Sequence, residues 1–233
     1  MPKKVLVSWS GGKDCAWALH LLRNNPEWDV AGLMTTISIP SGRISMHGIR
    51  RELLQEQVRS LGLPLRTIEL PDPCPNDAYD AIMRNVVNDA RNKGIEYVAF
   101  GDLFLEDIRA YRESRLAGTG LTPVFPLWNM PTGMLAREMI NAGLRAYITC
   151  VDGRRLDDSF AGRLYDSTFL DDLPAGIDPC GERGEFHSLV VDGPGFSAPV
   201  EFSAGEITER GGFIYADMLL KIPAAKAGTF IQG

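Results

Sequence analysis

Residues 4–9 (KVLVSW) form a short apolar, β-rich run that stops at Ser10-Gly11-Gly12-Lys13-Asp14. The chain then switches to helical periodicity, with Cys15, Ala18, Leu19 and Leu22 at the i, i+3, i+4 and i+7 positions of one face. A strand that turns through two glycines into a helix restricts the fold more than any other feature of this sequence, because the same alternation recurs downstream. Asn24, Asn25 and Pro26 end the first helix. Residues 29–37 read as a strand, 50–61 as a helix stopped by Gly62, 65–70 as a strand, 77–93 as a helix closed by Gly94, and 96–100 as a strand. Strands alternating with helices of this length specify βαβ units on a parallel sheet. The expected class is therefore α/β, with a Rossmann-like parallel sheet.

The second half has a different texture. Three prolines in residues 121–131 (LTPVFPLWNMP) predict a loop or irregular crossing. Residues 132–142 read as a helix, 145–151 as a strand and 155–172 as one or two short helices. Beyond Asp178 the pattern turns to β, through FHSLVV, APVEF and GEITER-GG-FIYADMLLKI, where Gly211-Gly212 is a two-residue hairpin signal. The expected division is a Rossmann-like α/β domain at 1–125, a smaller α+β domain at 126–222 and a loose tail at 223–233, the two domains packing around one site.

Composition narrows the function classes. Apolar residues make up 45% and charged residues 23%, as in ordinary globular proteins. No apolar run approaches the ~18 residues of a membrane helix, and the N-terminus does not read as a signal peptide. The formal charge of −6 gives no support to nucleic-acid binding, which is usually driven by phosphate contacts. Four isolated cysteines without a CxxC pair, and only three histidines, exclude zinc-finger spacing and fit a reducing compartment. A cytoplasmic protein with no membrane partner is expected.

Residues 8–14 carry the strongest chemical signal. Glycines let the backbone turn its N–H groups onto an anion, and the N-terminus of the following helix adds about half a positive charge. Ser8, Ser10 and Lys13 add donors around Gly11 and Gly12, with Asp14 beside them. The spacing is neither GxxxxGK[ST] nor GxGxxG. Farther along, Glu182, Glu185 and His187 share a segment flanked by Gly181 and Gly184, and Glu185 and His187 face one side of an extended chain. Such a cluster can bind an ammonia-sized or cationic substrate, position a cation or take a proton; a solvated turn is the bland alternative. Cys180 reads as a packing residue. Gly101-Asp102 follows the strand at 96–100, at the carboxyl edge where ligands lie in open sheets. His47 lies beyond the second strand, and Trp128 reads as a core or domain-contact residue. Arg109, Arg112 and Arg115 read as a solvated helix face or as a surface for an acidic substrate.

The loop resembles the SGGxDS pyrophosphate loop of the N-type ATP pyrophosphatases, with Cys15 where that motif has serine. Met46-His47-Gly48, QVRSLGLPL, Gly101-Asp102-Leu103, Pro126-Leu127-Trp128 and DPCGERGEFH (residues 178–187) follow it in order. Together they resemble the diphthine–ammonia ligase family and its prokaryotic relatives. The resemblance implies an adenine nucleotide alpha hydrolase-like ATP domain followed by a substrate-side domain. It further implies an ATP-dependent, AMP-forming ligase that joins a carboxylate to ammonia. Residues 8–14 would cradle the triphosphate, with Mg²⁺ at Asp14, and Leu33, Met34 and Thr35 would lie beside adenine. His47, Gly101 and Asp102 would complete the nucleotide site, and Lys13, Asp14, Glu182, Glu185 and His187 would carry the chemistry. The acceptor would be diphthine on elongation factor 2 in an archaeal or eukaryotic chain, and otherwise a small acid, for which a corrinoid side chain is one idea. A homodimer is one expected assembly. A nucleotide alpha hydrolase and a non-catalytic nucleotide-binding module remain as alternatives.

Overall fold

The computed structural model describes residues 1–44 and 47–221. The expected tail at 223–233 and Met46 of the Met46-His47-Gly48 motif lie outside the described residues. The first half contains β1 (Lys3–Ser8), α1 (Lys13–Arg23), β2 (Trp28–Ser38), β3 (Arg43–Ile44), α2 (Arg51–Leu61) and β4 (Leu65–Leu70). It continues through α3 (Asn76–Asn92), β5 (Tyr97–Ala99), α4 (Glu106–Leu116) and β6 (Thr122–Val124). Parallel ladders join β4 to β2, β2 to β1, β1 to β5 and β5 to β6, and β3 pairs antiparallel with the end of β2. The chain builds outward from β1 to β2 and β4, then returns to add β5 on the other side of β1. That reversal opens a crevice at the carboxyl ends of β1 and β5, the position where open α/β sheets bind ligands.

The second half contains α5 (Thr132–Asn141), β7 (Arg145–Asp152), a 3₁₀ turn (Asp158–Phe160), α6 (Ser167–Asp172), β8 (Phe186–Asp192), β9 (Phe202–Arg210) and β10 (Phe213–Leu220). Its four strands form an antiparallel sheet in the order β8-β7-β10-β9. Two expectations change here. The proline-rich stretch at 121–131 contains a strand, β6, which tolerates Pro123 because it lies at the sheet edge. APVEF is not a strand of its own, since only Phe202 enters one; Pro199 has no N–H for a ladder.

The antiparallel sheet is not a separate body. Leu144, Ile148 and Leu189 share one apolar cluster with Val5, Val7, Trp17 and Leu54. Polar contacts follow the same seam. Arg43 and Arg50 both bind Asp217, at 2.8 Å and 2.6 Å, and hold its carboxyl far below the usual carboxylate range against the opposing effect of burial.

Candidate functional site

The turn from β1 into α1 closes on Gly11, whose φ of +79° favours glycine. Gly12 caps α1 without a side-chain hydrogen bond, so the helix N-terminus stays open to a ligand. A Cβ on Gly12 would stand 3.1 Å from both the His47 ring and the Ser188 carbonyl, so the loop approaches its neighbours as closely as backbone allows. On the other side, a Cβ on Gly101 would lie 2.9 Å from backbone atoms of Asp14 and Cys15. The end of β5 thus seats directly on the first turn of α1.

The loop is held from the second half as well as the first. Val190 N–H donates to the Gly11 carbonyl at 2.9 Å, and Lys13 N–H donates to Ser188 Oγ at 3.2 Å. The fully buried Gln57 carboxamide accepts from Trp9 Nε1 at 3.0 Å and donates to the Gly11 and Val190 carbonyls at 2.9 and 2.6 Å. Sequence reasoning missed Gln57, although its signal was there: a polar residue interrupts the apolar stripe of Leu53, Leu54 and Leu61.

Lys13 is 2% exposed. Its Nζ donates to both Asp14 carboxylate oxygens, at 3.0 and 2.8 Å, and to the Cys180 carbonyl. Burial disfavours the ammonium most strongly, yet the Asp14 charge and hydrogen bond, together with Cys180 and Glu182, outweigh it and hold the Lys13 pKa above its ordinary value. Lys13 is therefore both a member of the core and a fixed positive charge at the loop. Cys15 donates to the Gly12 carbonyl at 3.1 Å, and Ser10 Oγ donates to Cys15 Sγ at 3.4 Å. Cys180 is buried, and burial pushes its thiol up to about 12, as a packing residue requires.

These groups line a cavity of about 1080 Å³. Ser8, Ser10, Lys13 and Asp14 form its floor, Met34 and Thr35 one wall, and Gly101 and Asp102 the other. Leu33 is fully buried in the core and stays outside the cavity. Asp102 accepts from Arg112 at 3.3 Å. The glycine-flanked segment expected to gather three groups divides them. Glu182 and His187 line the cavity, whereas Glu185 is fully buried away from it. Its carboxylate accepts from Asp178 N–H at 3.1 Å and Arg183 N–H at 2.9 Å and pairs with Arg155 at 3.3 Å. The expected shared face of Glu185 and His187 fails because β8 begins only at Phe186, so Glu185 belongs to the tight turn before it.

Glu182 accepts from Leu103 N–H at 2.7 Å, and burial, together with the Asp14 and Asp102 charges, raises it to about 7. The His47 and His187 rings meet with centroids 4.5 Å apart and planes tilted by 43°. Burial and Lys13 lower His187 to about 4; burial, His187 and Lys13 hold His47 well below its ordinary value, so both imidazoles are neutral near pH 7. Two buried polar atoms on the cavity wall, Thr35 Oγ1 and His187 Nε2, have no hydrogen-bond partner among the described residues. Buried polar atoms are rarely left so unless something else meets them. No three His, Cys, Asp or Glu side chains form a ready metal cage among the described residues. The Asp14 and Glu182 carboxyls on the cavity wall suit instead a hard cation that keeps most of its ligands on a substrate.

Residues 3–121 match the family profile described as the diphthamide synthase N-terminal domain, and residues 131–219 match the diphthamide synthase C-terminal domain. The chain belongs to the diphthamide synthase family. The human diphthine–ammonia ligase is 25% identical over 151 residues, a match that spans 63% of this chain and 57% of the human protein. In this family member the arginine triplet of α4 splits. Arg109 turns away from the cavity to stack on Trp128 and Phe125, whereas Arg112 and Arg115 line the cavity.

Proposed function

We propose that the chain is an AMP-forming ligase that activates a carboxylate with ATP and joins it to ammonia in the cytoplasm. The observation that carries this reading is the open N-terminus of α1 on the cavity floor, with Lys13 fixed beneath it and Glu182 held near neutrality above. The backbone N–H groups of the first turn, Ser10 and the α1 dipole bind the phosphates. Met34 and Thr35 flank the adenine at the end of β2. The acceptor carboxylate oxygen attacks the α-phosphorus, the bond to the bridging oxygen breaks, and pyrophosphate leaves. Ammonia then attacks the activated carbonyl carbon, AMP departs with the former carboxylate oxygen, and the surplus proton passes to Glu182. A carboxyl with a pKa of about 7 takes a proton from the incoming amine and returns it to water without a large mismatch. His187 offers Nε2 to a phosphate or acyl oxygen as a neutral group. Mg²⁺, held by Asp14 and the phosphate oxygens, would offset the charge that builds on the leaving pyrophosphate.

The test is a product assay on the purified protein with a panel of carboxylic acids. Pyrophosphate release that requires both acid and ammonium, with AMP in equal amount, is the expected result. AMP formed without either would identify a hydrolase, and binding of ATP with no turnover would identify a binding module. The Glu182→Gln variant should bind ATP within a few-fold of the parent and lose roughly 10²–10⁴ in amide formation.

A further inference from the structure

The cavity extends well past the phosphate loop, between α3 and α4, where Met83, Val87 and Ile108 supply apolar wall. Arginines rim this outer lobe. Arg84 and Arg91 stand seven residues apart on α3, two helical turns and roughly 10.5 Å along one face. Arg183 reaches the same cavity from the loop before β8, its guanidinium over the Phe104 ring at 5.5 Å. Arg91 has its place because Gly120 lacks a side chain: a Cβ there would stand 3.1 Å from Arg91 Nε.

Charge accounting separates this lobe from an ordinary solvated helix face. Lys13, Arg112 and Arg115 are each paired within the cavity, with Asp14, Asp102 and Asp80 respectively. Two further carboxylates of these helices are engaged elsewhere: Asp89 binds Arg66 and Lys93, and Glu113 binds Arg109. Arg84, Arg91 and Arg183 have no carboxylate partner among the described residues. Three unpaired guanidinium groups thus line one concave site against a single unpaired carboxyl, Glu182, in a chain whose net charge is −6. Clefts lined by one sign of charge concentrate ligands of the other sign.

We infer that the outer lobe binds the acceptor, and that the acceptor is a small acid with an apolar body and at least one further anionic group besides the carboxyl that is activated. This rests on the ligase reading for the activation step alone, since the lobe's preference for anions follows from its own charges. Guanidinium forks match carboxylate and phosphate groups in two-point contacts. An acceptor carrying a quaternary ammonium group would instead meet three guanidinium groups with only the Glu182 carboxyl to oppose them.

Calorimetric titration of the full chain tests this directly. Tricarballylate, 3-phosphoglycerate and carnitine are titrated into the protein with and without α,β-methylene-ATP, and the same is done for the Arg84→Ala/Arg91→Ala and Arg84→Lys/Arg91→Lys variants. Tricarballylate or 3-phosphoglycerate should bind and carnitine should not, the better of the two anions naming the second group as carboxylate or phosphate. The double alanine variant should weaken that anion roughly tenfold or more, the scale of one charge-assisted contact, while holding methylene-ATP within about twofold of the parent. The lysine variant should recover part of the loss. Equal anion binding by parent and double alanine variant, no anion binding at millimolar concentration, or tighter binding of carnitine would overturn the inference. Failure to bind methylene-ATP would overturn the ligase reading instead, and the anion titrations without nucleotide would stand apart from it.

Discussion

The Glu182 carboxyl keeps its charge at a cost, because burial and two neighbouring carboxylates oppose ionisation while only the N–H groups of Leu103 and Phe104 support it. Its pKa rises from 4.5 in the unfolded chain to about 7 in the fold, so the folded state binds the proton more tightly. The stability this confers is present below about pH 4.5 and is lost as pH rises through 7. Glu182→Gln should therefore unfold at higher urea than the parent at pH 8, by on the order of 1–2 kcal/mol after allowance for solvent screening, and show no advantage at pH 4.5. An unchanged difference between the two pH values would remove Glu182 from the list of strained, functional carboxyls. Glu185 presents the opposite case three positions later. Its buried carboxylate joins two backbone N–H groups to Arg155, so Glu185→Ala should destabilise the fold by about 3–5 kcal/mol, and activity should fall with it. A thermal scan showing a parent-like Tm for Glu185→Ala would contradict this. Sequence spacing made these two glutamates look alike; only the turn that buries one of them tells them apart.

Among the elements, those with a strong apolar period were legible and those without one were not. α1 carries its buried Cys15, Ala18, Leu19 and Leu22 at the expected spacing, and the glycines after α2 and α3 fall where the helices stop. α4 was the failure. Only Leu116 of its eleven residues is buried, so its three arginines were read as a helix face or an acid-binding surface while the helix itself was given no bounds. β3 and β6 are two and three residues long, too short for any alternation to show. At the candidate site, the phosphate loop was read correctly as a turn between strand and helix, but its supports from Gln57, Ser188 and Val190 were not. Those contacts span 46 residues of chain for Gln57 and Gly11, 175 for Lys13 and Ser188 and more again for Val190 and Gly11, where local pattern carries no information. The seat of β5 on α1 gives an element-level prediction. Gly101→Ala forces a methyl against the backbone of Asp14 and Cys15, so α1 must shift, with a loss of about 1–3 kcal/mol and of nucleotide binding. Gly133→Ala is the matched control: it lies in α5 with open space around it and should be neutral, or stabilising by up to about 1 kcal/mol. Equal nucleotide affinity in the two variants, by calorimetry, would sever the end of β5 from the site.

For the molecule as a whole, the two sheets share an apolar cluster, and the loop between them is bonded from both sides. The chain should therefore unfold in one transition, with tryptophan fluorescence, reporting on Trp9, Trp17 and Trp28 in the first half and on Trp128 at the start of the second, and far-UV dichroism coinciding in urea. Two separated transitions would show that the halves are energetically independent. The shared cluster predicts the same from the other direction: residues 1–125 expressed alone should expose the surface that β7 and β8 cover, bind an apolar dye and fail to bind α,β-methylene-ATP.

The hydrogen bond from Lys13 N–H to Ser188 Oγ has a meaning in time as well as in space. Lys13 leaves the ribosome early, but the hydroxyl that fixes its backbone is made 175 residues later. At about 5–20 residues per second, the glycine loop waits roughly 10–35 s for that hydroxyl. Throughout that interval the nascent chain displays a glycine-rich turn without the contacts that the second half supplies to it. A message cut short before codon 188 thus releases a product whose first helix lacks the hydroxyl that fixes its N-terminal turn.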